Sequence, residues 1–226
     1  NAPMMNHQVS VSGASEKVNY LFSLGFYTQD GIVGGNFDRS NYERLTLRSN
    51  TQYTLFDESK ERNWLNSLKV TSNLSYARIK STNFDDNSTW GTPLGSALAL
   101  SPILNVYDET EEAIKAQFDK YGTTAEYTPV YDPRNGKLFS IPGEFGEMSN
   151  PIAKLSLPGD KHWSHKFVAN FSAELQLWDN LKFKTSYGAD LSFWGYDGYR
   201  PLYYLRSGES STQSSAYSRK EDGTVW

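Results

Sequence analysis

Lys166-Phe-Val-Ala-Asn-Phe-Ser-Ala-Glu-Leu-Gln-Leu-Trp178, then Asp179-Asn180, then Leu181-Lys-Phe-Lys-Thr-Ser-Tyr-Gly-Ala-Asp-Leu-Ser-Phe193, is the stretch that decides the fold. Phe167, Ala169, Phe171, Ala173, Leu175 and Leu177 alternate with Lys166, Asn170, Ser172, Glu174 and Gln176. After two turn-forming residues, Phe183, Tyr187, Ala189, Leu191 and Phe193 alternate with Lys182, Lys184, Ser186, Asp190 and Ser192. Side chains of a strand point to opposite faces in turn, so this is period-two patterning. Soluble strands usually run ~5–6 residues. These runs are longer, and a tilted strand needs ~9–11 residues to cross a bilayer.

The same pattern recurs upstream. Val18, Tyr20, Phe22, Leu24 and Phe26 share a face against Asn19, Ser23 and Tyr27. Leu45, Leu47, Thr51, Tyr53 and Leu55 oppose Arg44, Thr46, Arg48, Asn50 and Gln52. Leu68, Val70, Leu74 and Tyr76 oppose Lys69, Thr71, Asn73 and Ser75. Six strands are predicted, over 6–15, 18–29, 40–55, 65–80, 165–178 and 181–196, with a seventh near Ala216–Lys220 or at the C-terminus. Ser15-Glu16-Lys17, Asp57–Asn63 and Asp179-Asn180 are short connections, whereas 30–39, 81–164 and 197–215 are long. Short and long connections alternate, as in an up-and-down barrel with short periplasmic turns and long outer loops. The fold class expected is therefore all-β: an antiparallel transmembrane β-barrel segment of six to seven strands with one long extracellular loop at 81–164. Such a segment cannot close on itself, so a larger barrel is expected around it. A soluble antiparallel sheet with one wet face would show the same alternation, and strand length with alternating loop length weighs against it.

Composition fits a barrel wall. Aromatics make up 15% of the 226 residues, yet mean hydropathy is −0.62. Lipid-facing apolar positions, a wet lumen and polar loops reconcile the two. A net charge of −4 and no basic run leave nothing to grip a nucleic-acid backbone. There is no cysteine, hence no disulfide and no thiolate metal site. Asn1-Ala-Pro-Met-Met-Asn6 has neither a basic n-region nor an apolar h-region, so the expectation is a cleaved leader or a start within a longer protein.

The pattern breaks in 81–164. Asp108 followed by Glu111 reads as a capping box for a short helix ending at Gly122. Tyr131 to Phe139 reads as a hairpin about Asn135-Gly136, and Asn150-Pro151 begins the return. A loop of this size with its own elements is usually functional. Trp90, Asp85, Asp86, Tyr107 and Tyr131 are its candidate substrate or lid contacts, since aromatic faces and a few polar groups line ligand pockets. A solvated loop is the bland alternative for the Asp pair. Trp64 and Trp178 are expected in the periplasmic aromatic girdle, Tyr196 and Tyr199 in the outer one. His162-x-x-His165 could be half a metal site but lacks further ligands at fitting spacing; no metal, cofactor or catalytic group is expected.

The run Asn6-His-Gln-Val-Ser-Val-Ser-Gly-Ala-Ser-Glu-Lys-Val-Asn-Tyr20-Leu-Phe-Ser-Leu-Gly-Phe-Tyr-Thr-Gln-Asp-Gly-Ile-Val33 closely resembles a region of the SusC/RagA-type TonB-dependent transporters of Bacteroidetes outer membranes. Phe37 to Arg48 looks like that family's next barrel strand, and Asn150-Pro151-Ile152-Ala153 resembles the Asn-Pro element closing its long mid-barrel loop. Ala14 departs from the pattern, which has glycine there. The resemblance implies a 22-stranded barrel, plugged by an N-terminal domain behind a TonB box, neither of which is in 1–226. It implies nutrient import of oligosaccharide or oligopeptide, not catalysis, beneath a SusD-like surface lipoprotein, with TonB engaged through the N-terminal part. Arg44, Arg48, Lys182, Lys184 and Asp190 are expected to face lumen or plug. A passive porin or structural barrel, and a soluble β-sheet binding module, are the competing functions.

Overall fold

A computed structural model describes residues 2–56, 64–84, 92–108, 110–121, 127–142, 148–206 and 209–225. Seven strands form one antiparallel sheet: β1 Met4–Ala14, β2 Val18–Asp30, β3 Asn41–Phe56, β4 Ser67–Thr82, β5 Lys161–Trp178, β6 Leu181–Arg200 and, after the short hairpin β7 Tyr203–Arg206 and β8 Glu209–Ser211, β9 Ser215–Val225. The sheet order is β1-β2-β3-β4-β5-β6-β9, each strand beside its predecessor apart from the β7–β8 excursion. The anticipated meander is present, and the seventh strand exists. β5 and β6 run further than the alternation suggested, to Lys161 and Arg200, so the long connection shrinks to 83–160. No helix among the described residues is long and apolar enough to cross a membrane.

Register carries the patterning across the sheet. Val9, Leu24, Leu47, Tyr76, Phe167 and Leu191 pair in one continuous row, and paired residues share a face. The next row, Ser10, Ser23, Arg48, Ser75, Val168 and Asp190, lies on the opposite face. A slip by one residue in any strand would mix the two sets. Neither set is mixed wholesale, though there are exceptions. Leu21 and Val168 sit on the polar face, and Arg78 and Lys80 continue the apolar face of β4 at the long-loop end. Lys166 and Asp190 form an ion pair at 3.1 Å on the polar face.

At the short-turn end, Ser15 ties its turn by accepting from Val18 N at 3.1 Å. Asn66 donates to Asp179 at 2.9 Å, joining two neighbouring short connections. The predicted 57–63 turn lies outside the described residues.

The hydrophobic core is elsewhere. Every buried apolar residue among those described belongs to the long connection or to the β7–β8 hairpin. One cluster joins Ile114, Leu138, Ile141 and Tyr204. A second joins Phe139, Ala153 and Leu205. The β4–β5 connection thus folds into a lobe of its own at one end of the sheet, with helices α1 Pro93–Ala99, α2 Glu111–Tyr121 and α3 Pro151–Ser156.

Candidate functional site

The lobe is held by polar hubs. Asn150 accepts from the backbone N–H of Ile152 at 3.1 Å and of Ala153 at 3.2 Å, capping α3. Pro151 follows at the first helical turn, where its missing N–H costs nothing. The Asn150 amide also donates to the carbonyls of Val106 at 2.8 Å and Ser140 at 3.1 Å. One side chain therefore fixes three segments, which gives the Asn-Pro element a physical role. Thr92 and Pro93 start α1 in the same way, Thr92 accepting from Gly95 N at 3.2 Å.

The hairpin at 131–138 is confirmed by the Tyr131–Leu138 bridge. Its turn is longer than an Asn-Gly pair implies. Asp132 O accepts from both Asn135 N, 3.3 Å, and Gly136 N, 2.8 Å, and Gly136 takes a left-handed φ of +71°. Pro133 and Arg134 are part of the turn because Asp132 organises it. Asp132 is fully buried and accepts from Arg134 Nε at 2.9 Å, Arg134 Nη2 at 2.6 Å and the Tyr107 hydroxyl at 2.7 Å. The Arg134 hydrogen bonds hold its carboxyl well below the usual carboxylate range, against the opposing pull of burial. Arg134 also lies 4.0 Å over the Phe37 ring, a cation–π contact that pins the lobe to the β2–β3 loop. α2 starts at Glu111, so Asp108 lies short of the cap position it was expected to fill; the predicted stop at Gly122 lies outside the described residues.

Tyr107 and Tyr131, expected as contacts, do come together. They line a surface cavity of about 720 Å³ with Asp108, Glu111 and Lys137. Tyr107 stacks on Phe139 at 5.3 Å, with the Lys137 ammonium 5.6 Å from the Tyr107 ring centre, and Tyr131 donates to Glu111. Trp90, Asp85 and Asp86 lie outside the described residues. Arg44, Arg48, Lys182, Lys184 and Asp190 share the polar face, Lys184 beside Glu174 and Lys182 beside Gln176. Tyr196 corrects the girdle expectation. It lies on the polar face with His162 at 5.5 Å and Tyr217 at 6.3 Å, because its parity in β6 matches Asp190 rather than Leu191. His162 and His165, three apart on one strand, point to opposite faces, so they cannot hold one ion together.

The site that sequence reading missed is a cleft of about 600 Å³ where the lobe meets the strand ends. Arg39 comes from the β2–β3 loop, Asp160 and His162 from the start of β5, Tyr199 and Arg200 from the end of β6, Tyr203 and Tyr217 from beyond it. Arg39 Nη1 donates to Leu157 O at 2.9 Å. Its guanidinium lies against Gly159, where a Cβ would meet it at 2.1 Å, so any larger residue would push the Arg39 side chain aside. Burial pulls the Arg39 pKa down while Asp160 pulls it back up. Tyr217 donates to Asp160 at 2.5 Å. Glu209 accepts from Lys154 at 2.6 Å and from Arg206 at 3.1 Å. The local signal available was Pro158-Gly159 just before β5, a glycine beside which a side chain can pack closely. Chemically the cleft offers tyrosine side chains and cationic donors.

No family model matches the sequence. Curated relatives do. The chain is 28% identical to TonB-dependent receptor SusC of Bacteroides thetaiotaomicron over 178 residues, 76% of this chain and 15% of that protein. It is 32% identical to TonB-dependent receptor P26 of Formosa agariphila over 170 residues, 75% of this chain and 13% of that one. The chain belongs with the SusC-type TonB-dependent receptors. A third relative, TonB-dependent receptor P3 of Formosa agariphila, is 26% identical over 81% of the chain and 15% of its own length. The chain thus spans about a seventh of these relatives. Its place is the bacterial outer membrane, where TonB-dependent receptors reside, and the meander of long strands is barrel architecture.

Proposed function

We propose that residues 1–226 form part of the barrel wall of an outer-membrane nutrient importer, with the lobe at 83–160 on the extracellular side. Oligosaccharide is the substrate class and oligopeptide the second. A SusD-like lipoprotein caps the mouth, and TonB drives uptake through other parts of the receptor. The apolar face of the sheet meets lipid; the polar face, with Arg44, Arg48, Lys182, Lys184 and Asp190, meets lumen and plug. Trp90, Asp85, Asp86, Tyr107 and Tyr131 remain candidate contacts to substrate or lid.

The observation that supports this reading is the cleft. Tyr203 and Tyr217 line it beside charged donors at the long-loop end, where incoming solute would first meet the barrel. A passive pore has no need of a structured lobe with its own core. In the full receptor, replacing residues 84–160 by a short turn is expected to leave the barrel assembled while uptake falls. Unchanged uptake together with unchanged lipoprotein association would contradict the reading. Antibody access to the lobe from the periplasm in intact cells would overturn its sidedness.

A further inference from the structure

We propose that the cleft selects acidic oligosaccharides, with Arg39 and Arg200 receiving a carboxylate or sulfate carried by the sugar. The inference rests on the oligosaccharide reading above and narrows it. Three permanent cations line the cleft, Arg39, Lys154 and Arg200, against two carboxylates, Asp160 and Glu209. Both carboxylates are already engaged by protein. Glu209 is shared between Lys154 at 2.6 Å and Arg206 at 3.1 Å. Asp160 accepts the Tyr217 hydroxyl at 2.5 Å. Neither carboxylate forms an ion pair with Arg39 or Arg200 among the described residues, although Asp160 lies near enough to Arg39 to act on its charge.

Arg200 makes no hydrogen bond or ion pair among the described residues, although it lines the cleft. Arg39 spends Nη1 on Leu157 O, while its Nε is shut off from solvent with no acceptor among the described residues. Leaving a buried donor unmatched is costly, and costlier when it is charged. A guanidinium is a planar fork, and its best partner is a planar or trigonal oxyanion that takes two of its N–H groups. Turning that fork toward an anion in the cleft would regain the missing bond. The aromatic walls say what carries the anion. Phe84, Tyr203 and Tyr217 line the same cleft, aromatic side chains of the kind on which sugar rings stack. An acidic peptide would satisfy the arginines equally but would leave these faces with less to do.

The test uses the full receptor purified in detergent and a panel of oligosaccharides in matched pairs. Uronic-acid chains are paired with their methyl esters, and sulfated chains with their desulfated forms. Calorimetry is expected to find at least one pair in which the acidic member binds about tenfold tighter or more, the worth of one charge-assisted hydrogen bond. That preference should shrink with added salt. It should also fall about tenfold in Arg200→Gln and in Arg39→Gln. Equal binding within every pair, or binding of neutral members alone, overturns the acidic preference and leaves the oligosaccharide reading standing. If no oligosaccharide binds while acidic peptides do, the oligosaccharide reading itself falls. The wild-type pairs and salt series decide the matter even if the variants assemble poorly.

Discussion

The seven-stranded sheet and the lobe at its end solve opposite problems with the same alphabet. In the sheet, Phe22 is 50% exposed, Phe171 44% and Phe183 53%, and no described apolar residue of the seven strands is buried. In the lobe, Ile114 and Ala153 are fully buried and Phe139 is 2% exposed. A water-soluble sheet would lose far too much by leaving such a face open. The difference teaches that the sheet's apolar face is made for a lipid solvent, whereas the lobe must carry its own core because it stands in water.

The largest effect that could break this comparison is Phe139→Ala. Removing a ring from the lobe's second cluster is expected to cost ~3–5 kcal/mol of local stability. Hydrogen exchange on the intact receptor should show 127–157 opening while β2 to β6 keep their protection. If the strands lose protection in step, the two regions are one cooperative unit and the comparison fails.

Leu191→Arg comes next. Leu191 sits in the middle of β6, in the apolar row with Leu47 and Phe167. An arginine near the bilayer midplane should cost ~2–4 kcal/mol, while Ser192→Asn, one residue along, should cost little. Folding titrations into lipid vesicles measure both; equal costs would erase the distinction between faces.

Asn150→Ala follows. It removes the α3 cap and two further hydrogen bonds, and an N-cap alone is worth ~1–2 kcal/mol. Protease nicking near 148–157 should quicken with assembly unchanged. Asn150→Asp, which keeps the cap but not the two donated bonds, should recover part of the loss.

The smallest effect is a pH response confined to the lobe. Burial beside the Ile114 cluster pushes the Tyr127 hydroxyl up from 10.0 to about 12. A raised phenol pKa means the neutral form is favoured when folded, so this contribution is complete below pH 10 and fades as pH rises toward 12. Tyr127→Phe should flatten the alkaline loosening seen by tyrosine absorbance and proteolysis. A wild-type lobe that loosens equally in the variant would assign the effect elsewhere.

How much of this was legible in the sequence follows the same division. The sheet was readable because two solvents enforce one rule at every position, so Phe167 to Leu177 declare their face residue by residue. Where the rule relaxes, at Leu21, Val168 and the charged end of β4, the pattern alone misplaced nothing large but described too clean a wall. The lobe was opaque for a physical reason. Its core unites Ile114, Leu138, Ile141 and Tyr204, single residues from segments with no period to read. Asn150-Pro151 was read only as the start of the return, and no helix was expected at Thr92-Pro93; the helices that begin there are only 7 and 6 residues long. The cleft was least legible. Arg39 and Arg200, 161 residues apart in sequence, line one cavity only because the β2–β3 loop and the end of β6 reach the same rim.

The central claim is that one face of the sheet meets lipid and the other water. Residues 1–226 contain no cysteine, so in a receptor freed of cysteine elsewhere, single cysteines can be placed at 187 to 194 along β6. In intact receptor in outer membranes, a water-soluble thiol reagent should label positions 188, 190 and 192, and spin labels at 187, 189, 191 and 193 should report lipid contact. Strict alternation with period two is expected. Equal labelling of both sets, or alternation with the sets exchanged, would contradict it.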